Sequence, residues 1–285
     1  MQNEWEYYNH ALIPTVAPHV IPDTSWMKNK KKWKEYAGDH YPLFARWITD
    51  FDCPEETEWW HCIKDEAFDI SVIPAKKRYE INKGIKYAEV RLIRPEDYAE
   101  QLAEVHCRAK LHYGDSFDYE AERAEFEKEL RKGPYADNAE YVGAFFRETG
   151  KLIGYGIYEV YDDWVSQSVI KTDPEYLKYS VNAALVAFAL DRYLKERTDI
   201  KYITNGSKNI FHETNYHDYL IKYFGFRKAY CHLHISYRWW VSATVHALYP
   251  FRNAIYKMHA DRWLRMAGAV LKMEEIRRTS EDHKE

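Results

Sequence analysis

Residues 141–196 read YVGAFFRETG KLIGYGIYEV YDDWVSQSVI KTDPEYLKYS VNAALVAFAL DRYLKE, and this stretch decides the fold. Tyr141–Arg147 and Leu152–Val160 are apolar runs joined by the polar turn Glu148-Thr149-Gly150-Lys151, the pattern of a β-hairpin. Trp164–Lys171 follows as a third strand. Asp173–Asn182 is a connector into a helix ending near Glu196, whose apolar face is Ala183, Ala184, Val186, Ala187, Leu190 and Leu194. Gly154 and Gly156 lie inside a strand, not between a strand and a helix, so they are no dinucleotide fingerprint. They allow a bend or a close backbone approach.

Outward toward the C-terminus, Ile200–Thr204 is a short strand ending at Asn205-Gly206. His212–Phe224 is a helix stopped by Gly225, and Phe226–Ser236 is a closing strand. Trp239–His246 fits either period. The tail from Pro250 is helical by pattern, with a charge-rich, frayed end over Glu274–Glu285. Outward toward the N-terminus, Tyr119–Lys132 and Arg94–Lys110 are helices and Tyr87–Ile93 a strand. Phe68–Ile73 is strand-like or a loop. Ala75–Gly84 is a short basic helix, opened by Pro74 and stopped by Gly84. Residues 1–60 are aromatic and weakly periodic, and Pro14, Pro18, Pro22, Pro42 and Pro54 argue against long elements there.

Composition narrows the class. A chain of 285 residues is long enough for a substantial core, as one large domain or two small ones. A net charge of -4 gives no bulk attraction to nucleic acid, so the lysines at 28, 30, 31, 32 and 34 read as a solvated face. Cys53, Cys62, Cys107 and Cys231 are scattered, without metal-ligand or disulfide spacing. His106 and His112 have no third ligand by spacing, so no metal is expected. No signal peptide or membrane span is evident, and a reducing cytoplasm is the expected setting.

From Tyr87 to Ser236 the order is strand, two helices, three strands, helix, strand, helix, strand. This resembles the Gcn5-related N-acetyltransferase (GNAT) fold over about half the chain. Leu220-Ile221-Lys222-Tyr223-Phe224-Gly225-Phe226-Arg227 is similar to the glycine–aromatic turn that ends the last core helix in many such enzymes. Its Lys222–Gly225 part, and the Ala75–Gly84 segment, resemble the FemAB-like peptidyltransferase branch. Many relatives cradle a diphosphate in a loop of spaced glycines at a helix N-terminus; the matching loop here, Asp173–Asn182, holds no glycine. Many also place a tyrosine four residues before the terminal glycine; that position is Ile221 here, with Tyr219 displaced around the helix.

The resemblance implies an α/β (α+β) protein with a mixed central sheet flanked by helices. Residues 85–238 form the core, 1–84 an aromatic-rich extension packed on it, and 239–285 a helical tail. The implied activity is acyl transfer from acetyl-CoA or another acyl-CoA to a small-molecule or peptide amine. A FemAB-like tRNA-linked donor, with Lys76–Lys83 on its phosphates, is one alternative. A catalytically degenerate ligand- or partner-binding protein is another. Homodimerisation is left open.

Such chemistry needs a polarised carbonyl and a destination for the amine proton. Glu159 and Asp163 are the candidate proton acceptors and Tyr219 the candidate donor to the leaving group. A splayed strand offers backbone donors over Ser166–Lys171, so Ser168, Val169, Ile170 and Lys171 are assigned to the carrier. Lys178, Tyr179, Ser180 and Asn182 of the loop join them, with Asn205 past a strand end and Lys222.

Overall fold

A computed structural model describes residues 4–210, 215–257 and 262–282. In chain order its main elements begin with β1 (Trp5–Tyr8), β2 (Ala11–Pro14), α1 (Lys30–Ala37), β3 (Phe44–Cys53) and β4 (Trp59–Lys64). Next come α2 (Ala75–Tyr87), β5 (Ala88–Ile93), α3 (Ala99–His112), α4 (Tyr119–Leu130), β6 (Ala139–Phe146), β7 (Leu152–Val160) and β8 (Trp164–Thr172). The chain closes with α5 (Val181–Leu190), β9 (Tyr202–Ser207), α6 (Tyr216–Phe224), β10 (Arg227–Tyr237), α7 (Trp239–Leu248), α8 (Arg252–Ile255) and α9 (Arg262–Asp282). These elements form two compact units, residues 62–206 with 215–227, and residues 1–61 with 207–214 and 228–285. The cuts differ from the boundaries 84/85 and 238/239 drawn from sequence.

The first unit is mixed α/β. Its strands run in the order β9-β8-β7-β6-β5, antiparallel from β5 to β8, with β9 parallel to β8. One sheet face packs under α3 and α4 through Leu102, Val105, Leu130, Tyr141, Tyr155 and Ile157. The other packs under α5. Gly154 and Gly156 earn their places there: a Cβ at Gly154 would lie 2.9 Å from Val181, and one at Gly156 2.8 Å from the Tyr158 ring. The β8–β9 ladder holds Trp164–Tyr202, Val165–Ile203 and Ser166–Thr204. Beyond it, Asn205 Nδ2 donates to the Gln167 carbonyl at 3.2 Å, a side chain standing where a ladder bond would be.

The second unit orders its strands β1-β2-β3-β10, with β2 and β3 parallel and the other pairs antiparallel. Trp5, Leu12, Trp26, Trp33 and Ala45 form one core, and Ala11, Phe44, Trp59, Leu233, Met273 and Ile276 another. The first sixty residues thus fold with β10 and the C-terminal helix rather than lacking long elements. Pro42 and Pro54 flank the ten-residue β3 instead of interrupting it.

Other expectations are revised locally. Trp239–Leu248 is helical. The last core helix begins at Tyr216, and residues 211–214 of the expected span lie outside the described residues. The C-terminal helix stays regular to Asp282 because Glu274, 1% exposed, accepts from Tyr237 Oη at 3.1 Å and pairs with Arg277 at 2.8 Å and Arg278 at 2.7 Å. Among the described residues no helix is long and apolar enough to cross a membrane.

Gly84 does not stop its helix, which runs on to Tyr87. It is the contact point with α5: a Cβ there would sit 2.5 Å from the Ser180 carbonyl oxygen and 3.0 Å from Ala184 N. Gly84→Ala should therefore destabilise by about 1–3 kcal/mol through overpacking, outweighing the gain of about 1 kcal/mol in helix propensity. Urea denaturation checks this; an unchanged or raised midpoint would show that α2 and α5 are not so closely packed.

Candidate functional site

Site geometry begins with a bulge in β8. Ile157 pairs with Val169 and Tyr158 with Gln167, leaving Ser168 as the extra residue. One inserted residue reverses the alternation of side chains beyond it and leaves backbone groups outside the ladder. Val165 and Gln167 are buried before the bulge, whereas Val169 and Lys171 beyond it line a cleft with Tyr141, Tyr155 and Ile157. This cleft, about 540 Å3, is closed on its other side by His106 of α3 and by Phe126 and Leu130 of α4.

His106 is held from three directions. Its ring stacks on Phe126 with centroids 4.2 Å apart, Nε2 lies 3.4 Å from Glu122 Oε1, and Nδ1 lies 3.1 Å from the Tyr155 hydroxyl. Lys110, 2.6 Å from the same Glu122 oxygen, keeps that carboxyl ionised by lowering its pKa. Burial lowers the imidazole pKa, with Glu122 opposing and Lys171 and Lys110 reinforcing the shift. A neutral ring has one N–H, and the Glu122 carboxylate can only accept. The network thus assigns the proton to Nε2 and leaves Nδ1 to accept from Tyr155, whose phenol is itself pushed up by burial. Lys171, pushed down first by burial and then by Lys110, completes this end of the cleft.

Glu159 anchors the other end. It accepts hydrogen bonds from Tyr135, from Tyr161 at 2.8 Å and from Ser168 of the bulge at 2.6 Å. Tyr135 lines the cleft, its phenol pushed up by burial and then by Glu159. The structure thus brings together Glu159, Ser168, Val169 and Lys171 from the sequence-expected set. Asp163 lies apart, in the β7–β8 turn, with its carboxylate 2.7 Å from Lys201 Nζ.

The remaining expected residues belong to the α5 side. Asp173–Asn182 is not an open loop: Asp173 caps Glu175 N and Pro174–Tyr179 forms a 3-10 turn, with Ser180 in the left-handed region at φ 58°. Asp173 is fully buried, 3.3 Å from Arg108 and 3.5 Å from Lys151. Tyr176 and Tyr179 fill the space that glycines would leave open, packing on Phe146 at 5.2 and 5.0 Å, with Tyr179 also 4.8 Å from Tyr87. Ser180 Oγ donates to Glu80 of α2, which puts a carboxylate beside the positive end of α5. Asn182 accepts from Thr172 at 2.6 Å. Ile170 pairs with Gly156 in the ladder, and Asn205 bridges to Gln167 as above. Tyr219 stacks between Tyr216 at 5.8 Å and Tyr223 at 5.1 Å, its phenol raised by burial and then by Glu80. Lys178 and Lys222 are exposed, over the rings of Tyr179 and Tyr223.

Three residues in the cleft were missed by sequence reasoning: His106, Tyr155 and Tyr135. His106 had one local signal, a polar ring within the partly apolar face of Leu102, Val105 and Cys107. Its partner lies 49 positions away, so the pairing is a product of the fold.

The lowered His106 pKa sets a pH dependence. Its neutral form contributes stability fully above the unfolded-state value of about 6.5, and that contribution is lost as pH falls through the lower folded-state value. His106→Gln should flatten the stability curve as pH falls below about 6.5. Urea midpoints across that range test this, and an unaltered slope would contradict it.

No protein-family model matches the sequence, and no curated protein matches it. Solved structures do. The C-terminal domain (DUF2156) of a protein described as a lysylphosphatidylglycerol synthetase, from Agrobacterium fabrum, aligns with a TM-score of 0.50 at 8% identity, covering 85% of this chain and 82% of that one. FemX aligns at 0.44 and 8% identity over 60% of this chain and 59% of its own. The PaiA N-acetyltransferase of Thermoplasma acidophilum, in complex with coenzyme A, aligns at 0.31 and 17% identity over 39% of this chain and 74% of its own. The chain shares its overall fold with that DUF2156 domain.

Proposed function

We propose that the protein transfers an acyl group to an amine bound in the cleft under α3 and α4. The observation that carries this reading is the β8 bulge opening beside the His106–Tyr155 pair. In this scheme the amine nitrogen attacks the acyl carbonyl, the bond to the carrier breaks with its electron pair leaving on the carrier atom, which takes a proton from solvent, and the nitrogen loses a proton. Tyr155 takes that proton as its own passes to His106 Nδ1. Backbone N–H groups freed at the bulge face the developing oxyanion, the place where fixed donors are most effective. Glu159 acts through Tyr135 and Ser168, holding the acceptor end of the cleft in shape. Lys171, at the His106–Tyr155 end of the cleft, suits an acceptor that carries an anionic group. This clustering favours a working enzyme over a degenerate one.

An acyl-CoA donor would bring its diphosphate to the N-terminus of α5, where Glu80 and the tyrosines of the 3-10 turn already sit. That observation favours the second donor class, an aminoacyl ester on tRNA. Lys86 over Tyr87 and Lys178 over Tyr179 form an exposed patch, joined by the contact between the two tyrosine rings. Alternating cations and rings suit phosphates and bases. The side chains of Lys76 and Lys77 lie outside the described residues.

Fluorescence anisotropy with labelled total aminoacyl-tRNA distinguishes the donors. The expected result is salt-dependent binding, weakened about tenfold by the pair Lys86→Glu and Lys178→Glu. Transfer of the labelled aminoacyl group to an amine should fall in Tyr155→Phe without loss of that binding. Micromolar binding of acetyl-CoA with no binding of tRNA would overturn this donor assignment.

A further inference from the structure

The unit built from residues 1–61, 207–214 and 228–285 contains a cavity of about 160 Å3 that plays no part in the scheme above. Arg46, on β3, lines it. Arg252, Arg277 and Arg278 of the same unit each pair with a glutamate. Among the described residues no carboxylate pairs with Arg46. Its guanidinium reaches Met273 Sδ at 3.9 Å and lies over the Trp59 ring, 5.6 Å from the centroid. Neither contact accepts a charge-assisted hydrogen bond. Burial works against the charge, and arginine does not give up its proton in a protein.

Trp59 lines the same cavity with its ring; it is 2% exposed, and its buried Nε1–H has no acceptor among the described residues. An unsatisfied buried donor is uncommon in a folded protein. Arg46, half-buried at this cavity with only a weak sulfur acceptor and a ring for partners, is a cation that an arriving acceptor would satisfy. Arg46, Trp59 and Ser207 also line an adjoining cavity of about 200 Å3, so Arg46 borders a space that extends past it.

We propose that this cavity binds a small monocarboxylate with an apolar body. One guanidinium supplies one positive charge and a planar fork, which match a single carboxylate; a phosphate dianion would leave a charge unbalanced. Ile13, Val16, Val20, Ile48 and Leu233 form apolar walls, with the Trp47 ring beside them. A cavity of about 150 Å3 is known to take a molecule as large as benzene, which sets the scale of the ligand body.

The test is calorimetry on the full chain with benzoate and hexanoate, against benzamide and hexanamide as uncharged controls. The carboxylates should bind and raise the melting temperature, and the amides should do neither. Arg46→Met should weaken carboxylate binding by at least roughly tenfold. The ligand-free melting temperature of that variant should equal or exceed that of the wild type, because a half-buried charge with no carboxylate partner among the described residues has been removed. Equal binding of amides, no binding of either carboxylate at millimolar concentration, or a lower ligand-free melting temperature for Arg46→Met would overturn the proposal.

Discussion

The packing of α2 on the start of α5 is the constraint on which the unit of residues 62–206 and 215–227 depends. Gly84 lets the helix backbones approach, and Glu80 takes the Ser180 hydroxyl at the positive end of α5. A helix N-terminus is a ready anion site because its first N–H groups lack partners within the helix. Here a carboxylate from the chain itself stands beside that end. The aromatic 3-10 turn reinforces the closure, since Tyr176 and Tyr179 rest on Phe146 and cannot move without uncovering it.

With that side closed, the cleft proposed as the active site lies on the other face of the sheet. The Ser168 bulge is what separates the two faces. Without Ser168, the extra residue, Val169 and Lys171 would project to the α5 side and Glu159 would lose a hydrogen-bond donor. The cleft therefore rests on one inserted residue and two charge arrangements. Lys110 fixes Glu122, and through it the His106 tautomer; Tyr135, Tyr161 and Ser168 fix Glu159. Low-dielectric surroundings make such networks strong when complete and costly when broken.

Much of the architecture was legible in sequence because it is local. The Gly150 hairpin, the Gly225 helix stop and the apolar face of α5 are set by turn chemistry and periodicity. The order of strands followed from them. The contribution of residues 1–60 was hidden because β3 pairs with a strand nearly two hundred positions away, Arg46 opposite Ile235, and no local pattern encodes that partner. Likewise Glu159 was visible as a carboxylate at a strand end, whereas His106 and Tyr155 gain meaning only when α3 lies across β7. The Asp173–Asn182 connector was visibly free of glycine; its closure by Glu80 depends on a contact spanning 100 positions.

The most direct measurement is amide hydrogen exchange across residues 173–184 with and without millimolar coenzyme A. Ala183 N and Ala184 N both donate to the Ser180 carbonyl, at 3.0 and 3.4 Å, and α2 covers that turn. The account predicts slow exchange at these positions in the free protein and no change on adding coenzyme A. Rapid exchange in the free protein, slowed several-fold by coenzyme A, would show that the cradle is open and that α5 receives a diphosphate after all.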